Sequence, residues 1–161
     1  MDLFFRDCPG QTDIPAVRGL LAGTGFFRAD EMDVATELVA ERLAKGSASG
    51  YYFYFAEEDG ELAGYVCFGP IPCAIGSFDL YWVAVDKRRQ GRGLGLRLVE
   101  KCEESARNMG GRRVFIETSG KPQYLPTRRF YRRAGYVEAA RLKDFYGQGD
   151  DKIVYRKDFH L

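Results

Sequence analysis

The segment Val83–Gly95 constrains the fold of this chain more than any other part of its sequence. An apolar run that ends at Val85 predicts a strand, and an apolar row of every fourth residue from Leu94 predicts a helix, so the residues between them form a turn. That turn is rich in arginine and glycine: Arg88, Arg89, Gly91, Arg92, Gly93 and Gly95. Backbone N–H groups at a helix start favour an anion, and glycine lets it approach the backbone closely. The segment therefore predicts an anion site, to which the arginines add positive charge.

The spacing of these glycines excludes two common phosphate-binding loops. The chain has no GxxxxGK[ST] segment, which excludes a P-loop, and residue 96 is leucine, so GxGxxG is absent as well. A glycine-tightened turn with a solvated basic face is the alternative interpretation of the same residues.

Hydrophobic periodicity divides the rest of the chain into further strands and helices. Strands are predicted at residues 3–6, 51–56, 62–68, 78–85, 114–118, 137–142 and 153–155. Helices are predicted at residues 13–22, 30–45, about 95–108 and 126–134, the first with Asp13 as its N-cap. Asp59-Gly60 predicts a tight hairpin turn between the second and third strands. A length of 161 residues fits a single domain, and neither a repeat nor a linker divides it.

Charge and the reactive residue types exclude several classes of function. With 24 basic and 23 acidic residues the net charge is +1, so we expect neither nucleic acid nor a membrane as a partner. The single histidine, His160, argues against Ser-His or Cys-His chemistry and against histidine metal sites. The four cysteines form no CxxC pair, and scattered thiols suit a reducing cytoplasm. The first residues lack the basic and apolar runs of a signal peptide.

Two motifs resemble signatures of the GNAT family of N-acetyltransferases. Gln90, Gly93 and Gly95 match the family pattern Gln/Arg-x-x-Gly-x-Gly/Ala, five residues after Val85. Residues 130–136, Phe-Tyr-Arg-Arg-Ala-Gly-Tyr, resemble the family pattern Phe-Tyr-x-x-x-Gly-Phe. The order of predicted elements is similar to that of the family over roughly the whole chain.

The resemblance implies a fold, a co-substrate and a binding site. The fold would be a single α/β domain over residues 1–161, with a mixed, mostly antiparallel sheet of about seven strands and about four helices. The co-substrate would be acetyl-CoA, with no metal, and its acetyl group would pass directly from the thioester to a primary amine of a peptide, protein or small molecule. The implied cofactor-binding residues are Val83, Val85, Gln90, Gly91, Arg92, Gly93 and Gly95. Helical spacing puts Tyr124, Thr127 and Arg128 on one face with Tyr131, and this face would line the cofactor groove, with Arg128 near a cofactor phosphate.

The resemblance also implies a general acid and leaves two candidates for the base. Tyr131 corresponds to the family tyrosine near the acetyl-CoA sulfur, although a helical tyrosine is also an ordinary core residue. Glu117 lies in a segment similar to the Leu-Glu-Val strand of ribosomal-protein N-terminal acetyltransferases, and it ranks above Asp79. Strand alternation puts Asp79 on one face with Tyr81, Val83 and Val85. Tyr124 stands where those N-terminal enzymes have asparagine, so the acceptor class stays open.

A second class of function is consistent with the same motifs. A non-catalytic acyl-CoA-binding regulatory domain would share the turn and the fold, because a fold does not fix a function. Oligomeric state is open too, since many members of the family pair as homodimers through their last strands.

Overall fold

The computed structural model describes residues 2–159, so His160 lies outside the described residues. Seven strands form one sheet in the order β1-β2-β3-β4-β5-β7-β6. The strands are β1 Leu3–Arg6, β2 Tyr52–Glu58, β3 Glu61–Pro70, β4 Ser77–Val85, β5 Arg113–Ser119, β6 Val137–Gly147 and β7 Asp150–Asp158. The helices are α1 Asp13–Thr24, α2 Ala29–Lys45, α3 Leu94–Asn108 and α4 Leu125–Arg133. Short 3-10 turns lie at Gly46–Ser49, Lys87–Arg89 and Pro122–Tyr124.

This architecture confirms the predicted fold class. The pairs β1–β2, β2–β3, β5–β7 and β6–β7 are antiparallel, and β4–β5 is parallel, which makes the sheet mixed and mostly antiparallel. The backbone divides into two compact units, one of residues up to Gly69 with Trp82–Glu104, the other of Pro70–Tyr81 with residues from Ser105 onward. A single domain over residues 1–161 stays a prediction.

The first unit has its core between the helices α1 and α2 and the strands β2 and β3. Leu21 and Val39 are fully buried, in a cluster with the aromatic side chains of Phe53, Phe55 and Tyr65. The Phe53 and Phe55 rings stack with centroids 5.4 Å apart. Asp59 and Gly60 both have positive φ, the conformation of the tight hairpin turn that the sequence predicts between β2 and β3.

The start of α1 differs from its prediction. Asp13 is the first helical residue and Thr12 occupies the N-cap position, without a side-chain capping hydrogen bond. The Asp13 carboxylate instead accepts from the Gly10 N–H at 2.7 Å and pairs with Arg6 on β1. The predicted capping role is wrong because the Asp13 carboxylate binds the Arg6 guanidinium and the Gly10 N–H instead.

The second unit is built around β5. Residues Arg113–Ile116 run parallel to Ser77–Leu80 of β4, and the whole of β5 pairs antiparallel with β7. The outermost strand β6 is exposed along its entire length, and both β6 and β7 are longer than predicted. Because β6 is exposed to solvent, its sequence has no alternation of apolar and polar residues. The length of this hairpin therefore could not be predicted from the sequence.

Candidate active site

The glycine-rich turn between β4 and α3 presents its backbone to solvent. Gly91 and Gly93 are exposed with φ of 78° and 80°, a conformation that favours glycine, and a Cβ on either would meet nothing within 4 Å. The Arg97 N–H donates to the Gly93 carbonyl at 3.1 Å. The N–H groups of residues 94–96 come before this bond in the chain and lie in the first turn of α3. The Gln90 amide donates to the Val85 carbonyl at 3.2 Å and fixes the turn to the end of β4. This backbone has the form of the predicted anion site.

The arginines of the turn are paired with carboxylates of the same unit. Arg89 and Arg92 contact the same Glu58 oxygen at 2.7 and 3.0 Å, and Arg88 contacts Asp86 at 3.0 Å. Glu61 contacts both Arg88 and Arg89. Three carboxylates therefore balance the charges of the three arginines. The expectation that these arginines add a surplus of positive charge to the anion site is wrong.

Hydrogen bonds from Arg92 and then Arg89 lower the pKa of Glu58, which keeps this carboxylate ionised. The Arg92 guanidinium is turned toward Glu58 at both ends, with its second contact at 3.4 Å. Its predicted contact with a cofactor stays a prediction.

Asp79, Glu117 and Lys152 lie on one face of the second unit. In the register, Asp79 of β4 is opposite Phe115 of β5, and Glu117 follows two residues later on the same face. Lys152 of β7 is opposite Ser119 of β5, and its Nζ lies 2.9 Å from the Glu117 Oε2. The Lys152 side chain is 15% exposed and that of Glu117 is 49% exposed. The two candidate bases thus have different environments.

The Asp79 carboxyl has the perturbed acidity of a group that can exchange protons near neutral pH. Its half-burial raises its pKa first, the negative charge of Glu117 raises it further, and the positive charge of Lys152 opposes both, to give a pKa of about 6. Asp79 also has the orientation predicted from alternation, because Phe78 and Leu80 on the other face of β4 are buried. Which of Asp79 and Glu117 acts as the base stays a prediction.

Tyr131 is a buried residue of α4 inside an aromatic cluster. Its ring centroid lies 5.6 Å from that of Phe130, 6.4 Å from that of Tyr136 and 6.0 Å from that of Tyr155. Burial raises the pKa of Tyr131, so its hydroxyl stays protonated at neutral pH. The position suits a hydrogen-bond donor, and it equally satisfies the core interpretation of this tyrosine.

The residues predicted to share one face with Tyr131 of α4 are partly buried. Thr127 and Arg128 are half-buried, as is Tyr124 in the preceding 3-10 turn. The Arg128 guanidinium donates to the Ser119 and Lys121 carbonyls at 2.9 and 2.8 Å, which ties the connection from β5 to the start of α4. Arg128 therefore has a structural role, and its contact with a cofactor phosphate stays a prediction.

Sequence reasoning missed three polar neighbours of these carboxylates. Lys152 lies outside the short strand predicted at residues 153–155, so only the observed register shows that it reaches Glu117. Burial and then the charges of Glu117 and Asp150 raise the pKa of Tyr146. Ser119 donates a short hydrogen bond to Asp150, which no motif would reveal because the pair joins β5 to a hairpin turn.

Neither a membrane-spanning helix nor a metal-binding cluster is found in residues 2–159. None of the helices there is long and apolar enough to cross a membrane. Among the same residues no group of three or more His, Cys, Asp and Glu is placed to hold a metal ion.

The comparisons with known proteins agree with the fold. Residues 22–136 match the description of the acetyltransferase (GNAT) family, and the chain belongs to this family. A crystal structure of a protein assigned to the GNAT family, from Desulfovibrio desulfuricans, is 50% identical with a TM-score of 0.96, and covers 98% of this chain and 99% of its own. An uncharacterized N-acetyltransferase of Methanocaldococcus jannaschii is 31% identical over 110 residues, which span 65% of this chain and 65% of the relative.

The weaker resemblance to N-terminal acetyltransferases is present at the level of fold. The ribosomal-protein-S18-alanine N-acetyltransferase of Escherichia coli has a TM-score of 0.75 at 17% identity and covers 99% of this chain and 96% of its own. Other structural neighbours with the same fold hold coenzyme A or acetyl-CoA. The family predicted from the two motifs is confirmed, and with it the class of acetyltransferase.

Proposed function

We propose that this protein transfers an acetyl group directly from acetyl-CoA to a primary amine of a peptide, a protein or a small molecule. The observation that carries the proposal is the half-buried Asp79 carboxyl with a pKa of about 6, beside the Glu117–Lys152 pair. A carboxylate tuned toward neutral pH is a typical general base. No metal takes part in the proposed reaction.

The exposed turn between β4 and α3 would bind the pyrophosphate of acetyl-CoA. The N–H groups of residues 94–96 at the start of α3 would donate to the anion, and the glycines at positive φ let the phosphates come close. The backbone of β4 would bind the pantetheine arm. The proposed contact residues are those expected from the sequence: Val83, Val85, Gln90, Gly91, Arg92, Gly93, Gly95, Tyr124, Thr127 and Arg128.

Asp79 would accept the proton that the acceptor must lose. Amines with a pKa of about 8 to 10.4 are mostly protonated at pH 7, and an ammonium has no lone pair to attack a carbonyl. A carboxyl with a pKa near 6 is about 90% ionised at pH 7, so Asp79 can take this proton directly or through one water. The nitrogen then forms the amide bond as the carbon–sulfur bond of the thioester breaks.

Tyr131 would stabilise the thiolate that leaves. Because burial raises its pKa, the hydroxyl remains a neutral donor rather than a phenolate. A hydrogen bond from it would stabilise the developing negative charge on sulfur, and the proton would follow as coenzyme A departs. Most of the acceleration would come from holding the amine against the thioester.

The cellular setting is part of the proposal. The cysteines Cys8, Cys67, Cys73 and Cys102 are free thiols, which supports a cytoplasmic location because thiols stay reduced there. A homodimer remains one option for the assembly.

The test is an acceptor screen joined to pH–rate profiles. Peptides, polyamines, amino acids and aminoglycosides are offered with acetyl-CoA, and acetylated products and free coenzyme A are measured. We expect kcat/KM to fall as the pH drops through about 6, because protonation disables Asp79, and Asp79→Asn should remove this limb.

The profile of a second variant separates the two carboxylates. Glu117→Gln removes a negative charge that raises the pKa of Asp79, so the acidic limb should move to lower pH. Loss of the limb in Glu117→Gln, with its retention in Asp79→Asn, would make Glu117 the base. Acetyl-CoA binding without amine-dependent release of coenzyme A would favour the non-catalytic regulatory domain.

A further inference from the structure

We infer that Lys152 is a positioning residue that holds Glu117 and thereby leaves Asp79 as the carboxylate that receives the proton of the acceptor. The inference rests on the proposed function and adds to it a residue outside both family motifs. It also explains why two acidic side chains on neighbouring strands do not perform the same task.

The position of the Lys152 ammonium is fixed from two strands. Its Nζ lies 2.9 Å from the Glu117 carboxylate of β5 and 4.3 Å from the ring centroid of Phe145 of β6. A cation over an aromatic face is attracted to the ring, and the mostly buried stem of the lysine lowers its freedom further. The ammonium is therefore a fixed charge, unlike that of a surface lysine.

The backbone of Lys152 is fixed as well. Its register partners are Ser119 on β5 and Leu142 on β6, so β7 holds this residue between two strands. The other lysine of β7 that is anchored, Lys157, donates to the Ala134 carbonyl at 2.9 Å and lies against Tyr136, five residues further along the strand. Lys152, in contrast, contacts Glu117, one of the two candidate bases.

The charges around Asp79 come from two neighbouring strands. Glu117 of β5 contributes a negative charge and Lys152 of β7 a positive one. Further out, the charges of Glu117 and Asp150 both act on Tyr146, and Lys121 lies 3.8 Å from Asp150. The positive charge of Lys152 opposes that of Glu117, and Asp79 ionises with a pKa of about 6.

Removal of Lys152 would leave the negative charge of Glu117 near Asp79 unopposed. A nearby like charge disfavours ionisation, so the pKa of Asp79 would rise further above its usual range. A higher pKa would leave less of the Asp79 carboxylate available as a base at pH 7. The lysine itself neither gains nor loses a proton in this scheme, and no bond to it forms or breaks.

The experiment compares three variants of the whole chain with the parent protein. Lys152→Met removes the charge, and Lys152→Arg keeps it. Arg156→Met removes one positive charge from the same strand, where Arg156 pairs with Asp158 at 2.8 Å. The readouts are the acidic limb of kcat/KM and the ¹³C NMR titration of the Asp79 carboxyl in the free protein, which needs no turnover.

We expect Lys152→Met to move both the limb and the NMR titration of Asp79 upward by about half a pH unit or more, since an opposite charge lowers a carboxyl pKa by about that much or more. Lys152→Arg should restore both readouts, Arg156→Met should leave both in place, and KM for acetyl-CoA should stay constant. An unchanged Asp79 titration in a folded Lys152→Met protein overturns the inference.

A milder variant covers the case in which Lys152→Met does not fold. Phe145 is exposed, so Phe145→Leu should fold while it frees the ammonium from the ring, and a smaller upward shift is expected. No shift in that variant, with Arg156→Met also unshifted, would count against the inference. A parent protein that acetylates no amine would refute the proposed function, whereas the NMR titration would still decide the role of Lys152.

Discussion

Substitution of Gly93 tests the anion site in the turn between β4 and α3. Gly93 has a φ of 80°, and a Cβ built on it meets no atom within 4 Å. Gly93→Ala therefore introduces backbone strain of roughly 1–2 kcal/mol without a clash. Gly93→Asp introduces the same strain and adds a negative charge beside the proposed pyrophosphate.

The two effects differ enough to be separated. Two unit charges about 5 Å apart repel by roughly 3 kcal/mol at an effective dielectric constant of about 20. After allowance for solvent and for movement of the side chain, we expect Gly93→Asp to weaken acetyl-CoA binding at least tenfold, about 1.4 kcal/mol. Gly93→Ala should lose less affinity than Gly93→Asp. Calorimetric titration with acetyl-CoA measures both, and raised salt should reduce the difference between them.

Gly110, after the other end of α3, supplies the matched control. It has a φ of 84°, and its Cβ would also meet no atom within 4 Å. Gly110→Ala and Gly110→Asp should lower the midpoint of thermal unfolding as the Gly93 variants do, yet leave acetyl-CoA affinity unchanged. Folded Gly93→Asp protein with parental affinity would refute the assignment of the turn as the pyrophosphate site.

Two further predictions concern buried tyrosines. Tyr131→Phe keeps the aromatic packing and removes the hydroxyl donor. In steady-state kinetics, kcat should fall by about 10²–10⁴-fold with little change in KM for acetyl-CoA. An unchanged kcat, with unchanged single-turnover rates, would leave Tyr131 as a core residue. Tyr155 is fully buried, and within the described residues its hydroxyl has no hydrogen-bond partner. Tyr155→Phe should therefore raise the free energy of unfolding by about 1 kcal/mol in urea titrations; a clear loss of stability would mean that the hydroxyl is in fact satisfied.

The sequence predicted the order of elements and the turn because their signals are local. Glycine at positive φ, an amphipathic row in α3 and the Asp59-Gly60 turn each depend on residues close together in the chain. The balance of charge at the turn could not be predicted, since Glu58 reaches Arg89 across 31 positions of sequence. The environment of Asp79 and Glu117 could not be predicted for the same reason, because Lys152 reaches Glu117 only through the strand register.

The outermost strand β6 affects how readily this protein aggregates at high concentration. An edge strand presents unpaired backbone groups that another chain could join, and β6 exposes Val137 and Leu142 along that edge. Its regular pairing with β7 is interrupted between Leu142 and Gly147, where Asp144 adopts a φ of 57° and its carboxylate accepts from the Gly149 N–H at 2.9 Å. The kink shortens the straight part of the edge, so a strand from a second molecule finds only a short template for addition. The hairpin that brings Phe145 to Lys152 thereby also limits growth of the sheet into aggregates.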